Sequence, residues 1–108
     1  MDATEIAGRV TITARAYERI AAAVAADALG VPPRDPKATV RDEQGRLRAD
    51  VSSGIDPRRA DPAGRGVVAA AVRARRLVAE RLNALTGADV ARVRIHLTHV
   101  VDTERRAS

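Results

Sequence analysis

Between Val90 and Thr98, apolar and polar positions alternate: Val93, Ile95 and Leu97 share one parity, Arg92, Arg94, His96 and Thr98 the other. Period two is the signature of a strand with one face buried, so this segment predicts a strand with an arginine-bearing outer side. The same alternation runs from Arg46 to Ser52, with Leu47, Ala49 and Val51 inward and Arg46, Arg48, Asp50 and Ser52 outward. A turn through Asp42-Glu43-Gln44-Gly45 joins that strand to a shorter one over Ala38 to Arg41, a hairpin pattern. Arg9 to Thr13 reads as a further short strand, with Val10 and Ile12 inward.

Two stretches follow the helical period instead. Tyr17, Ile20, Ala21, Val24 and Ala28 fall on one face of a predicted helix that Thr13 caps and Gly30 with Pro32-Pro33 ends. Its opposite side carries Arg15, Arg19, Ala22 and Ala26. The second helix spans Val67 to Leu85, with Val67, Ala71, Ala74, Val78, Leu82 and Leu85 toward the core and Arg73, Arg76, Glu80 and Asn83 toward water. Gly87 closes it, and the step Asp61-Pro62 supplies an N-cap and a first-turn proline ahead of it.

The predicted order is strand, helix, strand, strand, helix, strand. One apolar face per element is satisfied by an α+β two-layer sandwich, with both helices on one side of a small, mostly antiparallel sheet. Residues 1–101 form the single expected domain, with a loop at 53–66, and residues 102–108 a flexible tail. The outward positions Arg9, Thr11, Arg41, Arg46, Arg48, Asp50, Arg92, Arg94, His96 and Thr98 then make the wet face of the sheet strongly basic. Phase carries this inference, because a slip of one residue inverts a strand.

Composition sharpens the picture. Of 108 residues 45% are hydrophobic, yet there is no Phe or Trp and one Tyr, so the core is built from Ala, Val, Leu and Ile. Such side chains bury little area each, which predicts modest monomer stability and assistance from self-association. Residues 1–54 balance eight basic against eight acidic side chains, whereas residues 55–108 hold eleven Arg against six acids and supply the whole net +5. A GC-rich genome alone writes many Arg codons, but the positive field they create is physical whatever its origin.

Chemistry is sparse. The absence of Cys excludes disulfides, thiolate catalysis and Cys-ligated metal centres. Neither a signal peptide nor an apolar run of membrane-spanning length is expected. His96 and His99 stand an odd number of residues apart, which in a strand sends them to opposite faces and prevents joint chelation. Gly64-Arg65-Gly66 lacks the positions of a phosphate loop and reads as a flexible loop. Ser52 and Ser53 have no evident His–Asp partner, and Asp42-Glu43 is explained by turn chemistry. No catalytic, metal or cofactor residues are expected; the expected interaction surface is Arg41, Arg46, Arg48, Arg92, Arg94 and His96, with Arg73 and Arg76 on the second helix. A basic sheet also suits RNA, but RNA-binding sheets stack bases on aromatic residues, and this one has none.

Gly8-Arg9-Val10-Thr11-Ile12-Thr13, the Ala-rich helix leading to Leu29-Gly30-Val31-Pro32, and Leu85-Thr86-Gly87 … Val90 … Val93-Arg94-Ile95-His96-Leu97 together resemble the bacterial alkaline shock protein family, also called the envelope stress response family. The resemblance covers roughly residues 6 to 101. It departs from the family wording at Ser52-Ser53-Gly54, where members usually continue the third strand as a long apolar run. The resemblance implies a non-enzymatic, cytoplasmic α+β protein of the envelope stress response. It implies self-assembly into homo-oligomers and recruitment to the membrane by a small anchor protein. No small-molecule substrate or cofactor is implied. An RNA-binding module is the alternative, and the charge pattern adds weak, salt-sensitive attraction to nucleic acid or anionic lipid.

Overall fold

Gln44 and Gly45 both adopt positive φ (56° and 83°), the primed turn whose twist matches that of the strands it joins. The Asp42 carboxylate accepts the Gly45 N–H at 2.8 Å and holds the turn closed. It connects β1 (Lys37–Glu43) to β2 (Arg46–Ile55) as an antiparallel hairpin, in the register Arg41 opposite Arg48 and Val40 opposite Ala49. The structure, a computed structural model, describes the backbone of residues 3–101 and the side chains of residues 14–101. The tail expected at 102–108 lies outside the described residues.

The remaining elements are α1 (Ala3–Leu29), a short α2 (Pro57–Ala60), α3 (Val67–Thr86) and β3 (Val90–Val100). β3 lies parallel to β2, so the sheet is mixed, in the order β1-β2-β3. The α+β class holds, with the long helices packed on the sheet and on each other.

Where a first strand is expected, at Arg9 to Thr13, the backbone is helical, and Thr13 lies inside α1 instead of capping it. The physical reason is a helical period that runs further back than the Ala-rich segment. Ile6, Val10, Thr13, Tyr17, Ile20, Val24 and Ala28 succeed one another at steps of three or four. Once a helix is nucleated, each added residue gains a hydrogen bond, whereas an isolated five-residue strand needs a neighbour. The β-branched residues cost only a fraction of a kcal/mol each, about 0.5, against that gain. Among the described residues the sheet accordingly has three strands. β2 also runs past the expected stop at Ser52 to Ile55, with Ser53 and Gly54 inside it and buried.

Helix ends follow backbone chemistry. Gly30 is left-handed (φ 71°), Val31 N–H reaches back to Ala26 O at 3.0 Å and Gly30 N–H to Asp27 O, so α1 closes with the paired bonds of a Schellman turn. α3 ends on Gly87 (φ 71°), whose N–H returns to Asn83 O at 2.8 Å. The two Asp-Pro steps act differently from expectation. The first caps a helix, because buried Asp56 accepts the Arg58 N–H and Pro57 opens α2. Asp61 does not cap α3, which starts after Gly66 with no side-chain cap.

The core is made of small residues in close contact. Ala21, Ala25 and Leu29 of α1, Ala74, Val78 and Leu82 of α3, and Val40, Ala49, Val51, Ile55 and Val93 of the sheet are buried. Ala26, expected on the smooth outer side of α1, is buried too, because α2 and β1 pack on that helix in addition to α3. On α3 the buried stripe is Ala70, Ala74, Val78 and Leu82, which leaves Val67 and Leu85 largely open at its two ends. Truncating Leu82 to alanine is expected to cost about 3 kcal/mol, because Ala and Val neighbours cannot collapse into the void. Urea denaturation at unchanged m-value measures it; a loss below 1 kcal/mol would show that the core yields more than this packing implies.

Candidate interaction surface

The ladder turns the alternation of three strands into rows across the outer face. Arg41 pairs with Arg48, and Arg48 with Arg92, so three arginines lie side by side across the whole sheet. The next row is Thr39, Asp50 and Arg94, and the one after it Lys37, Ser52 and His96. Arg46 faces Glu43 beside the turn. The inner rows are Val40, Ala49 and Val93, then Ala38, Val51 and Ile95. The phase inferred from the alternation is therefore the phase the strands adopt.

Like charges directly opposite each other are unfavourable in a sheet. The central member of the arginine row is the one that is neutralised. Arg48 Nη1 lies 3.1 Å from Glu43 Oε1 and Arg48 Nε 3.5 Å from Asp50 Oδ2, the latter too long to satisfy the buried Nε with a hydrogen bond. Arg41, Arg46, Arg92, Arg94 and His96 are exposed and form no ion pair among the described residues. Among the described residues, six cations (Lys37, Arg41, Arg46, Arg48, Arg92, Arg94) thus share this face with two carboxylates, Glu43 and Asp50, both already engaged by Arg48.

Arg73 and Arg76 stand apart from this surface, on the helix layer. Arg73 Nη2 donates to Ala60 O at 2.7 Å and lies 3.4 Å from Ala28 O, tying α3 to α2 and the end of α1. It is a strut more than a free cation. Replacing it with methionine keeps the stem's packing and should cost about 1 kcal/mol through the orphaned Ala60 carbonyl, read by thermal denaturation. No change would mean that the strut carries nothing. Arg76 pairs loosely with Glu80 at 3.8 Å, one turn on, with both side chains about two-thirds exposed.

A second polar cluster has no counterpart in the sequence reading. β3 bulges at Thr98, so Ser52 pairs with His96 but Gly54 with His99. The bulge adds one residue and returns His99 to the same face as His96, which removes the argument that their odd separation parts them. His99 lies over Gly54, where a Cβ would come within 2.5 Å of the imidazole. Its Nε2 is 3.5 Å from Asp35 Oδ1, and Thr98 Oγ1 is 2.8 Å from Nδ1. Asp35 in turn accepts the Gly54 N–H at 2.8 Å, and Ser53 Oγ donates to Gly54 O at 2.8 Å. The cluster fastens the connector before β1 onto the end of the sheet. Hydroxyl, imidazole and carboxylate are in sequence here, yet none of Thr98, His99 and Asp35 lines the groove of about 690 Å³ between α3 and the β2–β3 pair. The signal for it was the pair Ser53-Gly54: a glycine inside a strand marks a bulge or a close approach.

Other candidates resolve simply. Arg65 N–H and Gly66 N–H both donate to the Asp61 carboxylate, at 2.8 and 2.6 Å, so the glycine loop before α3 is closed on an internal anion and not left slack. Among the described residues no three His, Cys, Asp or Glu side chains are placed to hold a metal ion, and no helix is long and apolar enough to cross a membrane. Comparisons with protein-family models, with curated proteins and with solved structures each find no match for this chain.

Proposed function

We propose that this chain is a non-enzymatic interaction module that captures acidic partners on its arginine-bearing sheet face. The observation that carries the reading is the row Arg41–Arg48–Arg92, with Arg94 beside it: cations held adjacent at a cost in mutual repulsion, two of the row without internal counter-charges among the described residues. A counter-charge from outside removes that repulsion, and guanidinium forks grip carboxylates two bonds at a time. The resemblance to the alkaline shock family supplies the setting: envelope stress, self-assembly and recruitment to the membrane by a small anchor protein. That setting is part of the proposal.

RNA is the competing ligand for a basic sheet. It is distinguished by salt and by stacking. Without aromatic side chains on the face, RNA is held by phosphate attraction alone, which falls steeply with salt. The test compares retention of the full chain on immobilised generic RNA and on a polyglutamate matrix at low and moderate salt, alongside co-purification from the native membrane fraction. Retention on RNA lost by moderate salt, with a small acidic-tailed membrane protein co-purifying, supports the reading. RNA binding that persists at moderate salt overturns it in favour of an RNA-binding module.

A further inference from the structure

We propose that the open edge of β3 accepts an extended segment of alternating acidic and apolar residues as a fourth strand. The inference rests on the reading of acidic capture and adds its mode. A three-stranded sheet has two edges, and here they are treated differently. On the β1 edge, the Val40 N–H is taken by Glu18 Oε2 of α1 at 3.0 Å. β3 is the other edge, and among the described residues no side chain bonds to its backbone in this way. Natural sheets usually cover or interrupt such an edge, since its free N–H and C=O groups recruit strands. The bulges of β3 lie near its ends, which leaves residues 92–97 regular between them.

Beside this edge the helix layer is unfinished. A groove of about 690 Å³ runs between the N-terminal half of α3 and the β2–β3 pair, with Val93, Ile95 and Leu97 along β3. Val68 and Val72 line it from α3, yet 76% and 46% of their surfaces remain exposed. Arg75, one turn further, completes that wall. On the helix, Val68, Val72 and Arg75 point away from the side that carries Leu77 and Arg81 toward α1, so they overhang β3.

The chemistry of the occupant follows from the two sides of an added strand. Side chains of one parity slide under Val68 and Val72 and are apolar. Those of the other parity lie beside Arg92, Arg94 and His96 and are acidic, because neither of these arginines has a carboxylate partner among the described residues and Asp50 is held by Arg48. A second copy of the chain would bring more arginine to this edge. Charge therefore selects an acidic partner strand.

The test uses the full chain and a fluorescent seven-residue peptide alternating glutamate and valine, with three controls. One has the same composition in two blocks. The other two carry N-methyl groups on alternate backbone amides, one set per edge of the peptide. The alternating peptide is expected to bind at least about tenfold tighter than the block peptide, and one N-methyl set to lose about tenfold. Val72→Ser should weaken the alternating peptide and leave the block peptide unchanged, with unaltered circular dichroism showing that the fold persists. Equal binding of alternating and block peptides, or indifference to both methyl sets, overturns strand addition and leaves acidic capture standing. Failure of both peptides overturns both. Because the chain has no cysteine, Ile95→Cys gives one clean further outcome: a disulfide-linked dimer on oxidation places a second copy on this edge and overturns the proposal.

Discussion

Gly30→Ala is expected to destabilise the fold by about 3 kcal/mol, the largest effect of any single methyl group added to this chain. Two causes act together. The residue sits at φ 71°, where an L side chain is strained. A Cβ there would also meet Arg59 Cβ at 2.5 Å and the Ala60 backbone N at 3.2 Å, atoms of a helix turn that is itself pinned. α2 cannot retreat freely, because Asp56 N–H bonds to Leu29 O at 2.9 Å and Arg73 holds Ala60 O from the other side. In a domain of this size such a loss lowers the melting temperature by about 15 °C. A double-mutant cycle apportions the causes: Arg59→Gly removes the nearer contact, so about 1 kcal/mol of the loss should disappear in the Gly30→Ala, Arg59→Gly background while the backbone strain remains. A Gly30→Ala protein within about 0.5 kcal/mol of wild type, a typical surface effect, would refute the close packing of α1 on α2.

The strands of this fold were legible where they are buried on one side only. Leu47, Ala49 and Val51 could face only the helices, and a period of two then sent Arg46 and Arg48 outward. The hairpin was legible from Gly45, and both long-helix ends from Gly30 and Gly87, positions where backbone sign leaves little choice of residue. What misled was Arg9 to Thr13, where five residues read alone favour a strand. Ile6 and Val10, read with Thr13 and Tyr17, extend the helical stripe of α1, and the longer window prevails. The bulge at Thr98 was hinted at only by Gly54, and its position on β3 was not legible. It depends on how Gly54 meets His99 across two strands, and the Asp35–His99 cluster it creates joins residues brought together only by the parallel crossover. Arg73 illustrates the same limit: an exposed arginine and a strut between helices have one sequence signature, and only the carbonyls of Ala28 and Ala60 tell them apart.

Reversing Arg41, Arg46, Arg92 and Arg94 to glutamate together should abolish acidic capture while leaving the stability of the domain about level. Each exposed contact with a carboxylate is worth about 0.5 kcal/mol, and a glutamate in its place adds repulsion of similar size. Four positions then amount to about 4 kcal/mol, a roughly thousandfold loss of affinity. The register keeps stability level. Arg41 and Arg92 flank Arg48 on either side, so glutamates there turn two like-charge neighbours into attractive ones, which offsets the like-charge pairs that reversal of Arg46 and Arg94 sets up with Glu43 and Asp50. Arg48 is left in place because it is half-buried and bridges Glu43 and Asp50; removing it would strand those carboxylates and mix a folding defect with a binding defect. Both quantities are read on one protein, by urea denaturation and by retention on polyglutamate. Salt supplies the internal control: at about 1 M the screening length falls to about 3 Å, and the difference in retention between wild type and variant should vanish. Retention that survives the four reversals places the captured surface elsewhere on the molecule. Retention and stability falling together would mean that these arginines serve the fold and not a partner.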